Sequence, residues 1–122
     1  MVDEQPANPP VSIFGPEPEH TWCYYYEKAS LARQRSDWVE VIRLMDQADQ
    51  GGFGPLDRIE WLPLMQAYVA TGQKEKLAPF ASIMLDDKFT GSQTCPILEK
   101  IAQETRPEDV EMQAYLGDTF CK

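Results

Sequence analysis

Glu60-Trp61-Leu62-Pro63-Leu64-Met65-Gln66-Ala67-Tyr68-Val69-Ala70-Thr71-Gly72 is the stretch on which the fold turns. Trp61, Leu64, Met65 and Tyr68 recur at three- and four-residue steps, which places them on one face of a helix. Trp61 and Tyr68, seven apart, face the same way and are expected to be buried together. Gly72 ends the run, where a glycine supplies the left-handed backbone that stops a helix. Leu77, Ala78, Ala81 and Met84 carry the same period onward. Thirty-six positions upstream the pattern is repeated: Tyr25, Ala29, Ala32, Ser36, Asp37, Trp38, Val41, Ile42, Met45 and Ala48 fall in register. One helical hairpin cannot bury such a stripe alone, so neighbouring copies must stack.

Working outward, Trp22, Tyr25, Tyr26, Ala29 and Ala32 predict a helix from Thr21, interrupted at Ser36-Asp37. Asp37 with Glu40, and Asp57 with Glu60, have the spacing of capping boxes. Leu56 and Trp61 stand at the spacing of a hydrophobic staple. Gly51-Gly52-Phe53-Gly54-Pro55 breaks the chain between the two copies. Pro63 and Pro79 each fall inside a predicted helix, where proline deletes a hydrogen bond, so these helices either start later or bend in their first turn. A third, degenerate hairpin is expected over Cys95–Thr105 and Pro107–Phe120, with Leu98, Ile101, Ala102 and Ala114 in register. Pro107, Glu108 and Asp109 suit a helix start. Before all of this, residues 1–20 read as a proline-rich extension, with prolines recurring from Pro6 to Pro18 and apolar Val11, Ile13 and Phe14 among them. That segment is either a loose tether or an extended strand laid on the helices. The expected architecture is all-α: five to six helices in stacked antiparallel hairpins over residues 21–122, with Ala32, Trp38, Met45 and Tyr68 in the core.

The spacing W-x2-L-x3-Y-x3-G in the second copy and its echo in the first resemble the tetratricopeptide repeat, a helix–turn–helix unit of about 34 residues. The resemblance implies about two and a half to three repeats and a non-catalytic protein–protein interaction module. It also implies a concave groove lined by the first helix of each hairpin. Carried over by register, the partner-binding positions are Tyr26, Ser30 and Arg33 from the first copy and Ile59, Leu62, Gln66 and Val69 from the second. Arg33 would be the fixed cation of a mostly apolar groove, since Ser30 and Tyr26 stand where the family's basic clamp would be wanted. Lys28 departs from the family pattern, which calls for a large apolar residue there. Apolar helix stripes are usually core, so Ile59, Leu62 and Val69 are alternatively covered by a neighbouring hairpin or by Phe14.

The run His20-Thr21-Trp22-Cys23-Tyr24-Tyr25-Tyr26-Glu27-Lys28-Ala29, continued by Leu31-Ala32-Arg33-Gln34, Asp37-Trp38 and Glu60-Trp61-Leu62-Pro63, is similar to the soluble tail of some bacterial polytopic membrane glycosyltransferases. This likeness implies a structural helical appendage to an upstream membrane domain of the same chain.

Twenty acidic against eleven basic residues give a net charge of −9. That balance argues against nucleic-acid or anionic-lipid partners, which want a basic footprint. No apolar run is long enough to span a bilayer, so direct membrane insertion is not expected, and the domain is read as cytoplasmic or attached to a membrane protein. Cys23, Cys95 and Cys121 are odd in number and irregular in spacing, which reads as free thiols in a reducing compartment. His20-x2-Cys23 has the look of a metal half-site, but Cys95 and Cys121 stand alone in sequence, so no metal or other cofactor is expected. No glycine-rich phosphate loop, triad or EF-hand frame appears, so no enzyme activity is expected. Asp86-Asp87 and Glu108-Asp109-Glu111 read as solvated acids at helix ends.

Overall fold

The computed structural model describes residues 21–121. Within them the chain forms six α-helices and no strand: α1 (Trp22–Gln34), α2 (Trp38–Gln50), α3 (Leu62–Ala70), α4 (Ala78–Leu85), α5 (Lys88–Thr105) and α6 (Val110–Thr119). The expected placement of Val11 to Phe14, and the His20 half-site, lie outside the described residues.

The first hairpin is built as its periodicity dictates. Ala29 and Ala32 of α1 and Ala48 of α2 are fully buried, and such small side chains let two helix backbones approach closely. Val41, Leu44 and Met45 fill the space between and below them. Trp38, expected in the core, is only half-buried, because it occupies the first turn of α2 at the rim of the hairpin.

Three consecutive helices end in the same way. After α1, Asp37 N–H donates to Ala32 O (2.9 Å) and Ser36 N–H to Arg33 O (2.9 Å). After α2, Phe53 and Gly52 repeat the pair on Ala48 O and Asp49 O; after α3, Gln73 and Gly72 repeat it on Tyr68 O and Val69 O. This is the Schellman arrangement, and it needs a left-handed residue. Gly52 (φ 82°) and Gly72 (φ 76°) supply it at no steric cost, whereas Ser36 adopts φ 56° with a side chain in place.

The prolines decide where the second hairpin begins. A 3₁₀ turn over Arg58–Trp61 precedes α3, so Pro63 falls in the first turn, where its missing N–H has no intrahelical partner to lose. A 3₁₀ turn over Lys74–Lys76 does the same for α4 and Pro79. Both helices start late, and they are correspondingly short. Asp57 caps the first of these turns by accepting from Ile59 N–H (3.1 Å). The two capping boxes are only half made: Asp37 accepts from Glu40 N–H, but the Glu40 carboxylate turns to Arg43, and that of Glu60 goes to Trp22. The expected staple does not form, because Leu56 is 95% exposed.

The third hairpin starts earlier than its sequence suggests. Asp87 accepts from both the backbone N–H (2.8 Å) and the hydroxyl (2.7 Å) of Thr90, opening α5 a full two turns before Cys95. The helix then runs through Pro96, which deletes one hydrogen bond without ending it. Asp109, not Pro107, is the cap of α6, accepting from Met112 N–H at 3.0 Å. These contacts hold both carboxyls below the ordinary aspartate range: the Thr90 hydrogen bonds for Asp87, and the Met112 N–H followed by Arg106 for Asp109.

Packing follows a chain of neighbours: α1 on α2, α2 on α3, α3 on α5, with α4 and α6 also against α5. Met65, Leu77, Met84, Leu98, Met112 and Leu116 are fully buried where these helices meet.

Candidate functional site

The expected groove lies along the seam where α1 meets α3 and its preceding 3₁₀ turn. Tyr26, Ser30 and Arg33 are spaced four and three apart on α1 and so share a face. Ile59, Leu62, Gln66 and Val69 share the facing stripe of the second copy. Two hydrogen bonds stitch the seam. Trp22 Nε1 donates to Glu60 Oε1 at 2.8 Å, and Arg33 Nη1 donates to Gln66 Oε1 at 3.1 Å.

The seven groove positions divide into two sets. Tyr26, Ser30, Arg33, Ile59 and Gln66 are half-buried, so each keeps some surface. Leu62 (5% exposed) and Val69 (0%) belong to the core and present no surface to a partner, contrary to their expected place on the groove wall. The reason is the position of α3, flanked by α1, α2 and α5, which covers more than one face of that helix. The burial foreseen as the alternative for this stripe therefore holds for Leu62 and Val69.

Arg33 is oriented by a neutral amide. Among the described residues no carboxylate pairs with it, whereas Arg43, Arg58 and Arg106 each face an acid: Glu40, Asp86 and Asp109. Its guanidinium is planar and carries donors beyond the one given to Gln66, a fork suited to a carboxylate.

Beside this seam runs a row of rings. Tyr26 stacks near Trp22 (centroids 6.0 Å apart), Trp22 meets Trp61 edge-on (5.7 Å), Trp61 lies 5.2 Å from Phe80, and Phe80 lies 6.4 Å from Tyr68. Trp61 and Tyr68 do face the same way, joined through Phe80. Tyr68 is buried, and burial pushes its phenol pKa up, while Trp61 is only partly covered because it ends the 3₁₀ turn at the rim. Sequence reasoning missed Phe80 and Glu60 here. Phe80 follows Pro79 in a helix that starts later than its periodicity suggests, and its spacing from Asp57 points Glu60 to a cap. A shallow cleft of about 420 Å³ opens on the other side of Trp61, lined by Leu56, Arg58, Ile83 and Asp86. Arg58 spans it, donating to Ile83 O (3.0 Å) and Asp86 Oδ2 (3.3 Å).

The cysteine expectation is corrected. Cys95 and Cys121 form a disulfide with Cα atoms 5.0 Å apart, and only Cys23 is a free, exposed thiol. The pairing was hidden because the residues are 26 apart in sequence and meet only when α6 folds back on α5. No helix among the described residues is long and apolar enough to cross a membrane. No family model, no curated protein and no solved structure matches this chain.

Proposed function

We propose that this chain is a protein–protein interaction module of tetratricopeptide type, non-catalytic, with the α1–α3 seam as its partner-binding face. The observation that carries this reading is Arg33, held by Gln66 and without an acidic partner among the described residues of a chain whose net charge is −9. In a protein rich in carboxylates, a guanidinium oriented but not neutralised is the feature a ligand would use. The fitting partner is an extended or helical peptide with apolar anchors for Tyr26 and Ile59 and one carboxylate for Arg33. Strongly acidic ligands are disfavoured by the overall charge.

The test is an array of short peptides probed with the full chain. Binders should combine apolar residues with a single acid, and Arg33→Ala should weaken them about tenfold, as expected for losing a charge-assisted hydrogen bond. If no peptide binds, or if Arg33→Ala changes nothing, the reading fails.

A second reading is supported by the burial of Leu62 and Val69, which takes two of the expected apolar anchors off the seam. In it the domain is a structural appendage, the tail of a membrane-embedded glycosyltransferase. Its test is the gene: an open reading frame that continues upstream of Met1 into membrane spans would support this alternative, and one that does not would overturn it.

A further inference from the structure

The meeting of α5 with the end of α6 places three metal-ligating side chains together. The Sγ atoms of Cys95 and Cys121 and a carboxylate oxygen of Glu99 all lie within 4.8 Å of one another. Cys95 and Glu99 are four residues apart on α5 and therefore project from one face, one turn apart. Cys121 reaches them from just beyond α6, and its position does not depend on the disulfide alone. Phe120 beside it is 2% exposed, and the N–H groups of Phe120 and Cys121 both donate to Leu116 O, at 2.8 and 3.2 Å. On the α5 side, Thr94 and Leu98 bracket Cys95 and are fully buried. The backbone that carries the ligands is thus held by packing.

We propose that, with the disulfide reduced, Cys95, Cys121 and Glu99 form a site for a borderline-soft divalent cation of the zinc class. Zinc–sulfur bonds are about 2.3 Å long and tetrahedral, so two coordinating sulfurs sit about 3.8 Å apart. Cysteines whose Cα atoms are 5.0 Å apart span that gap by rotating about Cα–Cβ. The exposed Glu99 swings in to close the third position and leaves a fourth for water. Two thiolates select this class of ion over magnesium or calcium, which want an all-oxygen shell. The half-exposed cysteines give the ion a way in, and the chain's net charge of −9 favours its approach.

The disulfide and the metal site are alternative states of the same sulfurs. A dithiol reductant cleaves the Cys95–Cys121 bond and becomes a disulfide itself, leaving two thiols. The cation then displaces the two thiol protons to form two metal–sulfur bonds. Which state holds follows the redox poise around the protein.

The experiment uses the full chain carrying Cys23→Ser, so that the two site cysteines are the only thiols. After reduction with a dithiol and anaerobic removal of the reductant, Co2+ is titrated in and the spectrum recorded. One equivalent should produce thiolate-to-cobalt charge transfer in the near ultraviolet with tetrahedral bands in the visible, both erased by stoichiometric Zn2+. The unreduced chain should show neither. Glu99→Gln should weaken cobalt about tenfold or more, the cost of losing even an outer-shell partner. Cys121→Ser should remove the two-thiolate spectrum, with unchanged circular dichroism confirming that the helices persist. In the chain with both site thiols intact, Zn2+ should slow their alkylation at least tenfold, a readout that needs no ligand variant. A reduced chain without the cobalt bands, bands that survive Cys121→Ser or are unmoved by Glu99→Gln, or alkylation unaffected by Zn2+ overturns the proposal.

Discussion

The two hairpins carry their apolar residues in one register and close differently. In the first, α1 and α2 are 13 residues each, and buried alanines let them lie directly on one another. In the second, α3 has 9 residues and α4 only 8, and Phe80 of α4 meets the ring of Tyr68 in α3 and that of Trp61 in the turn before it. Beyond α1 and α2, what covers α3 is α5, an 18-residue helix from the third hairpin, and α4 packs on that same helix. The difference traces to Pro63 and Pro79. Each delays its helix behind a 3₁₀ turn, shortens it, and leaves closure of the core to a later part of the chain. A shared pattern of apolar positions therefore specifies which residues are buried more strongly than it specifies which neighbour buries them.

The largest expected effect tests the claim that α5 closes the second hairpin. Leu98 is fully buried at the centre of α5, and Leu98→Ala should cost about 3–4 kcal/mol in chemical denaturation, within the range for a large-to-small change in a packed core. A loss below about 1 kcal/mol would mean that α5 is peripheral and that the two hairpins are more alike than described.

The next pair exploits equivalent positions, Ser36 and Gly72, at the left-handed stops of α1 and α3. A Cβ on Gly72 would come 2.9 Å from Cζ and Nη2 of Arg106, so Gly72→Ala adds a clash to an unfavourable φ. It should destabilise by about 2 kcal/mol. In an Arg106→Ala background the same change should cost about half as much, because only the backbone term remains. Ser36→Gly should act in the opposite direction and raise stability by about 0.5 kcal/mol, since glycine relieves the left-handed strain but loses more unfolded-state entropy. Equal and opposite shifts in melting temperature would erase the distinction drawn here between the two stops.

The smallest effect concerns pH and sets the charged cap of α6, Asp109, against the N-cap of α1, Thr21, whose side chain makes no cap hydrogen bond. The folded-state pKa of Asp109 is depressed by the Met112 N–H and then by Arg106. A depressed carboxyl contributes stability that is present above its unfolded pKa of about 3.9 and is lost as pH falls through the lower folded value. Asp109→Asn keeps a capping oxygen but abolishes that titration. Its melting temperature should therefore fall less steeply than the parent's below about pH 4. Parallel acid limbs in the two proteins would show that the charge at this cap is inconsequential.

Legibility of the candidate site was uneven for reasons that particular residues make plain. Register places Arg33 and Gln66 opposite one another because α1 and α3 are neighbours, and a hydrogen bond joins them. Leu62 and Val69 were placed on the groove by the same register, yet α3 is enclosed by α1, α2 and α5, so register alone misassigns its faces. The helix expected from Cys95 begins at Lys88, because Asp87, which reads in sequence as a solvated acid, caps it through Thr90.

The chain by itself determined the helical class, the offset between the first two hairpins and the stops at Ser36, Gly52 and Gly72. These depend on local terms: the 3.6-residue period, side-chain caps and the sign of φ. Only the tertiary structure decided that α5 closes the second hairpin, that the Glu60 carboxylate accepts from Trp22 and not from the Asp57 N–H, and that Cys95, Glu99 and Cys121 converge. Each of those is a choice among distant partners, and it is made by which packing buries the most apolar surface with its polar groups satisfied.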